Sequence, residues 1–504
     1  MATLDSTHVY GLYDVIMSLT IEEVFKVSGI PTHTFVPPSA YARLKVALRT
    51  PGRGIIVEGP SGIGKSTAVR NALEELGLAR DVLMLSAREP LDAEFIAELP
   101  NIKSPGVVIV DDFHRLPATV KHTIADLLKV AADKEDVDTK IVIIGINEAG
   151  RALIDAGSDV ANRVEVVHFE TEPGEKLAAV IEKGEKALNV SIGAKQKIIE
   201  NSQGSFYITQ LLAWNACVEA GITEGQSNTA QVNTSYSAIQ RRVVQKQKDR
   251  FGATIRNFAR GTKFRPGGRA PYLHILRWLA DAEDWSIHIP SEMKMHPNEK
   301  VSVGIVLDRG YLENLAGQLE VAKLMHFDSS TQVLSVEDPM LVYYLRSIPW
   351  GEFIREVGFT KVDHEESYDV ALSFAGEDRR FAEEVRDALE DLGLAVFYDN
   401  AEQHLLLGED VEAYLAPIYA SGSRYVVAII GTRYGSKRWT LFESSQFKSR
   451  VDAGRVIPIW SVEDSPSAFD VTRERGGMTF DPNGDLRAQA VSISEVIARK
   501  IQEG

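Results

Sequence analysis

The stretch Gly-Pro-Ser-Gly-Ile-Gly-Lys-Ser-Thr at residues 59–67 constrains this chain more than any other part of its sequence. It fits the pattern G-x-x-x-x-G-K-[ST]. In such a loop, glycines let backbone N–H groups approach a phosphate, and the following helix offers its positive N-terminus to the anion. We expect Lys65 to reach the β- and γ-phosphates of a nucleoside triphosphate and the Ser66 hydroxyl to ligate Mg²⁺. The residues predicted to hold the phosphates are Gly59, Ser61, Gly62, Gly64, Lys65, Ser66 and Thr67.

Apolar runs around this loop follow the order of a parallel sheet. Strands are predicted at residues 54–58, 81–86, 106–112 and 140–147, and a helix leaving the loop at residues 68–76. The third strand ends in two acids, of which Asp111 is expected at the Mg²⁺ water shell and Asp112 near the attacking water. Alternation of strands and helices over residues 50–170 predicts a doubly wound α/β domain that binds its ligand at the carboxyl ends of the strands.

This order of elements resembles the AAA+ ATPases, which implies ATP or ADP as the ligand. The resemblance implies that Asn147 senses the γ-phosphate. It also implies that Arg163 reads the phosphate of its own or a neighbour's nucleotide, with a solvated helix-end charge as the alternative. A strap at residues 29–38, which ends in two adjacent prolines, either covers the adenine base or is a plain connector. Helices predicted at residues 174–189, 195–202 and 206–220 match a small helical lid.

Bulk properties restrict the class of protein. A chain of 504 residues is too long for one core, so we expect roughly two to four domains. The single cysteine, Cys217, excludes a disulfide framework and a cysteine-rich zinc site and fits a reducing compartment. No signal peptide or membrane-spanning run is evident, so we expect a cytoplasmic protein without a membrane partner.

Residues 241–269 reverse the local charge. They hold ten Lys or Arg residues and one acid, Asp249, in a chain whose net charge is −16. Three interpretations stay open: contact with nucleic acid, contact with an acidic face of a partner or neighbouring subunit, or a solvated helix face. The net charge disfavours nucleic acid. Phe251, Phe258 and Phe264 interleave with the cations at spacings that fit a helix core as well as base stacking.

Residues 271–350 predict helices followed by a hairpin at residues 324–327 and 332–336, which is winged-helix organisation. A P-loop domain, a helical lid and a winged helix in that order resemble the STAND signalling ATPases, the group that contains NLR immune receptors. Such receptors often hold ADP with a Met-His-Asp motif. The corresponding helix start, residues 336–338, has no histidine here, and we expect His326 to be a hairpin residue. The Gly-x-Pro element of these lids has its nearest match at residues 204–206.

A second α/β core begins after a predicted linker at residues 356–367. Residues 368–379, YDVALSFAGEDR, predict a strand that ends in a small, acid-rich turn before a helix. Further strands are predicted at residues 395–399, 424–430 and 455–460. With the stretch YGSKRWTLFE at residues 434–443, this pattern resembles a TIR domain over about residues 366–504, which implies a flavodoxin-like sheet.

The resemblance also implies a chemistry. Trp439 and Glu443 are four residues apart and share one face of a predicted helix. In enzymatic TIR domains, a glutamate at this position is the catalytic residue that cleaves the nicotinamide–ribose bond of NAD⁺ through an oxocarbenium-like state. The residues implied for NAD⁺ binding are Phe374, Ala375, Gly376, Asp378, Arg379 and Trp439. Residues 402–410 are expected to cover the pocket or join a neighbouring domain. A solvated glutamate in a scaffold domain is the alternative.

The predicted fold class is multidomain α/β. The predicted organisation is a lead-in at residues 1–50, a P-loop core at 51–170, a helical lid at 171–235, a basic stretch with a winged-helix-like domain at 236–355, a linker at 356–367 and a TIR domain at 368–504.

Together the resemblances imply a bacterial-type, antiphage immune sensor that forms a homo-oligomer when ATP binds and then hydrolyses NAD⁺. The sequence has no internal repeat that could serve as a sensor array. Sensing therefore falls to residues 1–50, to the basic stretch or to a separate partner protein. Two alternatives stay open: a non-catalytic TIR adaptor gated by ATP, and an AAA+ ATPase stimulated by nucleic acid.

Overall fold

The computed structural model describes residues 19–80, 82–136, 138–145, 160–283, 285–398, 415–434, 450–451, 453–463 and 476–503. The chain divides into two compact units, Met1–Gln247 and Lys248–Gly504. The boundary falls within one long helix, Tyr236–Arg260. No helix in the described part of the chain is long and apolar enough to cross a membrane.

The first unit is built on a five-stranded parallel sheet. Its strands are β1 Gly54–Glu58, β2 Leu83–Ser86, β3 Gly106–Asp111, β4 Thr139–Gly145 and β5 Val164–His168. Their order in the sheet is β2-β3-β4-β1-β5. Every residue of β1 and β4 is buried, as expected for central parallel strands covered on both faces. The sequence-based prediction of a doubly wound α/β core is confirmed.

Helices cover both faces of this sheet. The helices of the first unit are α1 Ile21–Val24, α2 Tyr41–Arg49, α3 Lys65–Glu75, α4 Pro90–Glu98, α5 Ala118–Asp133, α6 Gly174–Leu188, α7 Lys195–Asn201 and α8 Phe206–Glu219, with 3₁₀ turns at Leu99–Asn101, Phe113–Arg115 and Val160–Asn162. Alternate residues of β1 face opposite layers. Ile56 packs with α4 and α5, whereas Ile55 and Val57 pack with α2 and α3.

Helices α6–α8 lie where the sequence predicts the helices of a lid, and a short parallel strand pair, β6 Val190–Ile192 and β7 Ala230–Val232, accompanies them. The strap at residues 29–38 is fastened to this lid. The Thr34 hydroxyl donates to Gln210 Oε1 at 2.9 Å, and Lys183 Nζ donates to the carbonyl of Phe35 at 2.6 Å. The strap therefore belongs to the packing of the first unit.

The second unit begins with a middle segment, residues 248–357. After the end of α9, Tyr236–Arg260, its helices are α10 Pro271–Asp281, α11 Ile289–Met295, α12 Lys300–Asp308, α13 Tyr311–Ala316, α14 Leu319–Ala322, α15 Pro339–Ser347 and α16 Trp350–Val357. Three antiparallel strands accompany them: β8 Ser286–His288, β9 Met325–Asp328 and β10 Val333–Val336, in the order β8-β10-β9. His326 lies in β9 opposite Ser335, which confirms it as a hairpin residue. Strand β8 is not evident from the sequence.

The C-terminal part of the second unit has its own five-stranded parallel sheet. Its strands are β11 Tyr368–Phe374, β12 Val396–Phe397, β13 Ser423–Ile430, β14 Val456–Ser461 and β15 Met478–Phe480, in the order β12-β11-β13-β14-β15. Helix α17, Arg379–Asp391, packs against α18, Leu486–Glu503. A 3₁₀ turn at Gly376–Asp378 follows β11, and a π-helical turn at Ile418–Gly422 precedes β13.

The predicted linker at residues 356–367 needs a correction. Its first two residues end helix α16, and Phe359, Val362 and His364 are buried. The backbone N–H of Thr360 donates to the carbonyl of Pro266 at 2.7 Å. Apolar residues spaced through this stretch pack it against the middle segment, so it does not behave as a solvated spacer.

Replacing Gly184 by alanine should destabilise the first unit. A Cβ at Gly184, within α6, would lie 2.1 Å from Cζ of the fully buried Phe25. Alanine favours the helix by about 1 kcal/mol, but overpacking costs about 1–3 kcal/mol. We expect a net fall in Tm of roughly 2–4 °C per kcal/mol lost, measured by calorimetry. Gly351→Ala is the control, because no described atom lies within 4 Å of its Cβ position. An unchanged or raised Tm in Gly184→Ala would contradict this packing.

Candidate nucleotide sites

The loop at residues 59–67 begins at the carboxyl end of β1. Its first residue, Gly59, occupies a position where a side chain does not fit. Gly59 has φ 147°, and a Cβ on it would lie 2.0 Å from the carbonyl oxygen of Phe169. The backbone N–H of Phe169 donates to the carbonyl of Glu58 at 2.7 Å, which continues the β1–β5 pairing to the start of the loop. Gly62 and Gly64 also have positive φ, 76° and 94°. The backbone therefore curls as the motif predicts.

Lys65 is the first residue of helix α3, and its ammonium group lies over the loop. Nζ donates to the carbonyls of Gly59 and Pro60, each at 2.7 Å, and the side chain is largely buried. The ammonium is thus already at the concave side of the loop, where the motif places the phosphates.

Ser66 and Asp111 meet as predicted for a Mg²⁺ site. Ser66 Oγ donates to Asp111 Oδ2 at 2.8 Å, and Asp111 Oδ1 accepts the N–H of Asp112 at 2.9 Å. Burial, followed by the neighbouring Asp112 charge, raises the pKa of Asp111. A hydroxyl and a desolvated carboxylate are the hard oxygen donors that Mg²⁺ prefers, so these residues fit that ion.

Asp112 has a partner that sequence reasoning missed. Arg88 forms a bidentate ion pair with it, Nε to Oδ2 at 2.7 Å and Nη2 to Oδ1 at 3.0 Å, and Ser86 Oγ donates to Oδ2 at 3.2 Å. Arg88 follows strand β2, the neighbour of β3 in the sheet. The sequence shows that Arg88 follows a predicted strand. It does not show that this strand lies next to the one that ends in Asp112, so the ion pair could not be predicted.

The helical lid contacts the loop directly. Ser205 Oγ donates to the carbonyl of Gly62 at 3.0 Å, and the N–H of Tyr207 donates to the same carbonyl at 3.3 Å. A Cβ on Gly64 would lie 3.5 Å from Phe206, which packs with Val36 of the strap. Residues 204–206, the nearest match to the Gly-x-Pro element, therefore lie at the phosphate-binding loop.

Arg163 requires a correction. It immediately precedes β5, where Val164 pairs with Gly54, so it lies at the amino-terminal edge of the sheet. The loop leaves the opposite edge, roughly 17 Å away along the strand. Arg163 Nε instead forms an ion pair with Asp133 at 2.7 Å. Contact with the nucleotide of its own loop is therefore wrong, while contact with a neighbour's nucleotide stays a prediction. Asn147 lies outside the described residues.

The second predicted site lies at the carboxyl end of β11. The ring of Phe374 stacks on Tyr398, with centroids 5.3 Å apart and planes 7° apart. The Arg379 guanidinium lies over the Phe374 ring at 5.6 Å and donates to the Tyr398 hydroxyl at 3.4 Å. The Tyr398 hydroxyl in turn donates to Glu383 Oε1 at 3.0 Å. Tyr398, which the sequence did not single out, is buried and packs directly against two of the predicted binding residues.

Neighbouring strands bring more groups to this edge. A Cβ on Gly431, just after β13, would lie 2.3 Å from Asp378 Oδ2, so the turn after β11 packs closely on that glycine. Ala375 is buried beside Phe374, and no atom of the described residues lies within 4 Å of a Cβ built on Gly376. The described NAD⁺-binding candidates thus share one sheet edge, the usual ligand position in open α/β sheets. Trp439, Glu443 and residues 402–410 lie outside the described residues.

The aromatic residues of the basic stretch are mostly part of the protein core. Phe251 and Phe258 are buried and pack edge-on against Tyr344 and Tyr272, with centroids 5.3 and 5.7 Å apart. These two rings have no face for a nucleic acid base, so the helix-core interpretation of their spacing is confirmed. Contact of the cations with nucleic acid stays a prediction.

Family models match a part of each unit. Residues 55–168 match the model described as "ATPase family associated with various cellular activities (AAA)", and residues 370–485 match a TIR domain model. A curated relative, the 3' cyclic ADP-D-ribose synthase AaTIR of Aquimarina amphilecti, is 42% identical over 83 residues. Those residues are 16% of this chain and 25% of the relative, so the match spans a quarter of that protein.

Solved structures are similar at a lower level. The RuvB Holliday junction branch migration motor of Thermotoga maritima is 16% identical, covering 49% of this chain and 86% of its own, with a TM-score of 0.32. The ORC2 protein of Aeropyrum pernix, solved in ADPNP–ADP complexes, is 14% identical, covering 66% and 98%, with a TM-score of 0.34. At these TM-scores neither structure supports an inference about this chain.

Gly59→Ala should disrupt the phosphate-binding loop. The new methyl group would overlap the Phe169 carbonyl, so loop or strand must shift, at a cost of about 1–3 kcal/mol. We expect loss of ATP binding, measured by titration with a fluorescent ATP analogue, together with a lower Tm. Gly77→Ala is the matched control, because its φ of 69° is also positive but its Cβ position is open. Normal ATP affinity in Gly59→Ala would contradict this geometry.

Geometry and family models agree on the organisation of both halves. The phosphate-binding loop lies within the residues that match the AAA model, and the carboxyl end of β11 lies within those that match the TIR model. The chain therefore contains an AAA-type ATPase domain at residues 55–168 and a TIR domain at residues 370–485.

Proposed function

We propose that this protein is an ATP-regulated signalling protein of antiphage immunity whose TIR domain cleaves NAD⁺ when the protein oligomerises. The observation that carries the proposal is the 42% identity over 83 residues between this chain and a 3' cyclic ADP-D-ribose synthase, AaTIR. The proposal places the protein in the cytoplasm and makes a second copy of the same chain its main partner.

The proposed reaction breaks the bond between C1′ of ribose and the nicotinamide nitrogen. Nicotinamide leaves with the bonding electrons, and water adds to C1′ and releases a proton, which gives ADP-ribose. The carboxylate of Glu443 stabilises the positive charge that develops on the ribose. Phe374 and Arg379 are proposed to form part of the wall that holds the dinucleotide.

The ATPase domain is the proposed switch. Lys65 binds the β- and γ-phosphates of ATP, and Ser66 with Asp111 holds Mg²⁺, which neutralises phosphate charge. The lid contacts of Ser205 and Phe206 with the loop support a regulatory role, because a ligand there can favour one lid position over another. We propose that the ATP-bound position exposes the surfaces through which copies assemble.

The first test measures NAD⁺ consumption by the purified full chain with ATP and Mg²⁺. We expect Glu443→Gln to lower the rate about a hundredfold or more, because it removes the stabilising charge. Glu495→Gln, an exposed change on α18, is the matched control and should leave the rate unchanged. Chromatography of the products separates linear from cyclic ADP-ribose.

The same assay tests the switch. Lys65→Ala should also abolish consumption if ATP binding controls the TIR domain. Consumption that survives in Lys65→Ala but not in Glu443→Gln would leave an NAD⁺-cleaving enzyme without ATP control. If the wild-type chain, clustered by fusion to an oligomeric scaffold, still spares NAD⁺, the enzyme proposal fails and the adaptor alternative replaces it.

A second prediction concerns Arg88. Its bidentate pair with Asp112 competes for the carboxylate lone pairs that would otherwise orient the attacking water. Arg88→Gln should therefore raise basal ATP hydrolysis about two- to tenfold while ATP affinity stays the same. Phosphate release and nucleotide titration measure the two quantities separately.

The control for Arg88 is Arg80→Gln, an exposed change in the same domain with the same loss of charge. If Arg88→Gln instead lowers hydrolysis to the level of Lys65→Ala, Arg88 assists the reaction and does not restrain Asp112.

A further inference from the structure

A cationic cavity lies within the second unit, at the junction of the middle segment and the TIR domain. Its volume is about 40 Å³. The charged residues that line it are Arg260, Lys263, Arg265 and Arg269 from the middle segment and Glu390 from α17. Four cations thus face one carboxylate, and neither nucleotide site includes this cavity.

The acidic residues nearby do not compensate this charge. Glu390 is engaged by Arg309, whose Nη2 lies 2.6 Å from its Oε2 and 3.1 Å from Asp387 Oδ1. Asp369, at the start of β11, is the carboxylate that pairs with Arg269. Its Oδ2 already accepts the N–H of Ala395 at 2.9 Å.

Asp369 forms an ion pair with Arg269, and its charge also acts on Arg265. Arg269 is almost completely buried; its Nε lies 3.0 Å from Asp369 Oδ2, and its Nη1 donates to the carbonyl of Glu366 at 2.7 Å. Its Nη2 has no hydrogen-bond partner among the described residues, and the same holds for the buried Nη1 of Arg265. Burial lowers the pKa of Arg265, and the Asp369 charge opposes this only in part.

Burying a guanidinium nitrogen without a hydrogen-bond partner raises the free energy of the folded state, because the nitrogen loses its bonds to water and gains none in return. A tetrahedral oxyanion would supply acceptors to both arginines at once, in the bidentate geometry that guanidinium groups favour. A cavity of this volume has room for roughly three water molecules. That is enough for one phosphate group and too little for a whole nucleotide.

We propose that this cavity binds one phosphate group between Arg265 and Arg269, either as inorganic phosphate or as the phosphate of a mononucleotide. The bound anion neutralises the surplus charge beside Asp369, so it stabilises the junction that Arg269–Asp369 and Arg309–Glu390 form. The proposal is independent of NAD⁺ cleavage and of the ATP site.

The test uses the full chain carrying Lys65→Ala, which weakens phosphate binding at the loop of the ATPase domain. Equilibrium dialysis with radiolabelled inorganic phosphate at low ionic strength should find about one bound phosphate per chain. Adding Arg265→Gln should lower the affinity about tenfold or more, as expected for loss of a bidentate charged contact. Arg487→Gln, an exposed change with the same charge loss, should leave the affinity within about twofold.

Calorimetry separates binding from folding. Phosphate should raise the Tm of the Lys65→Ala chain, and this shift should vanish with Arg265→Gln. If Arg265→Gln does not fold, Arg265→Lys replaces it. This variant keeps the charge but loses the planar fork, so weaker phosphate binding is expected. Competition by AMP would identify a mononucleotide phosphate as an acceptable source, whereas failure of AMP to compete would restrict the site to free phosphate.

Absence of binding in the Lys65→Ala chain would overturn the proposal. Binding that does not change with either Arg265 variant would overturn it as well, because the phosphate would then lie elsewhere.

Discussion

The contact between Gly59 and the Phe169 carbonyl is the constraint on which the ATPase site depends. The backbone pairing of β1 and β5 continues one residue beyond the strands, through the Phe169 N–H and the Glu58 carbonyl. The chain must leave β1 at that point, and only a residue without a Cβ fits there. Because the exit is fixed, Lys65 and Ser66 begin α3 in a defined position, and Ser66 meets Asp111 at the end of β3.

The phosphate-binding loop at residues 59–67 also lies close to the lid and the strap, two segments distant from it in the sequence. Ser205 and Phe206 of the lid contact its glycines, and Val36 of the strap packs on Phe206. Glu172, which precedes the lid helices, accepts the N–H and hydroxyl of Ser39 at 2.8 and 2.7 Å. A ligand that moves the loop therefore acts on lid and strap together, which is the physical basis of the switch that we propose.

Elements that depend on local pattern could be predicted, whereas pairings that depend on strand order could not. Short apolar runs identified β1, β4 and β11, whose residues are all buried, because a central parallel strand needs no polar face. The loop motif identified Lys65 and Ser66, and the two acids that end the third predicted strand identified Asp111. Arg88 could not be predicted as a partner of Asp112, because only the order of strands in the sheet places the two residues side by side. Arg163 was misplaced for the same reason, since its edge of the sheet follows from the register of β5 with β1.

The excess of positive charge at residues 241–269 is explained in part by contacts within the chain. Several of its cations pair with nearby acids: Arg242 with Glu219, Lys248 with Glu356 and Arg250 with Asp338. Exposed pairs of this kind contribute little stability, so their main effect is to reduce the net positive potential of the helix. Deeper in the protein, Arg265 and Arg269 face the single carboxylate of Asp369, and buried nitrogens of both have no hydrogen-bond partner among the described residues. A long nucleic acid phosphate backbone cannot follow charge into a cavity of about 40 Å³, whereas a single phosphate group can. The position of the surplus charge therefore favours a small anion over a polyanion.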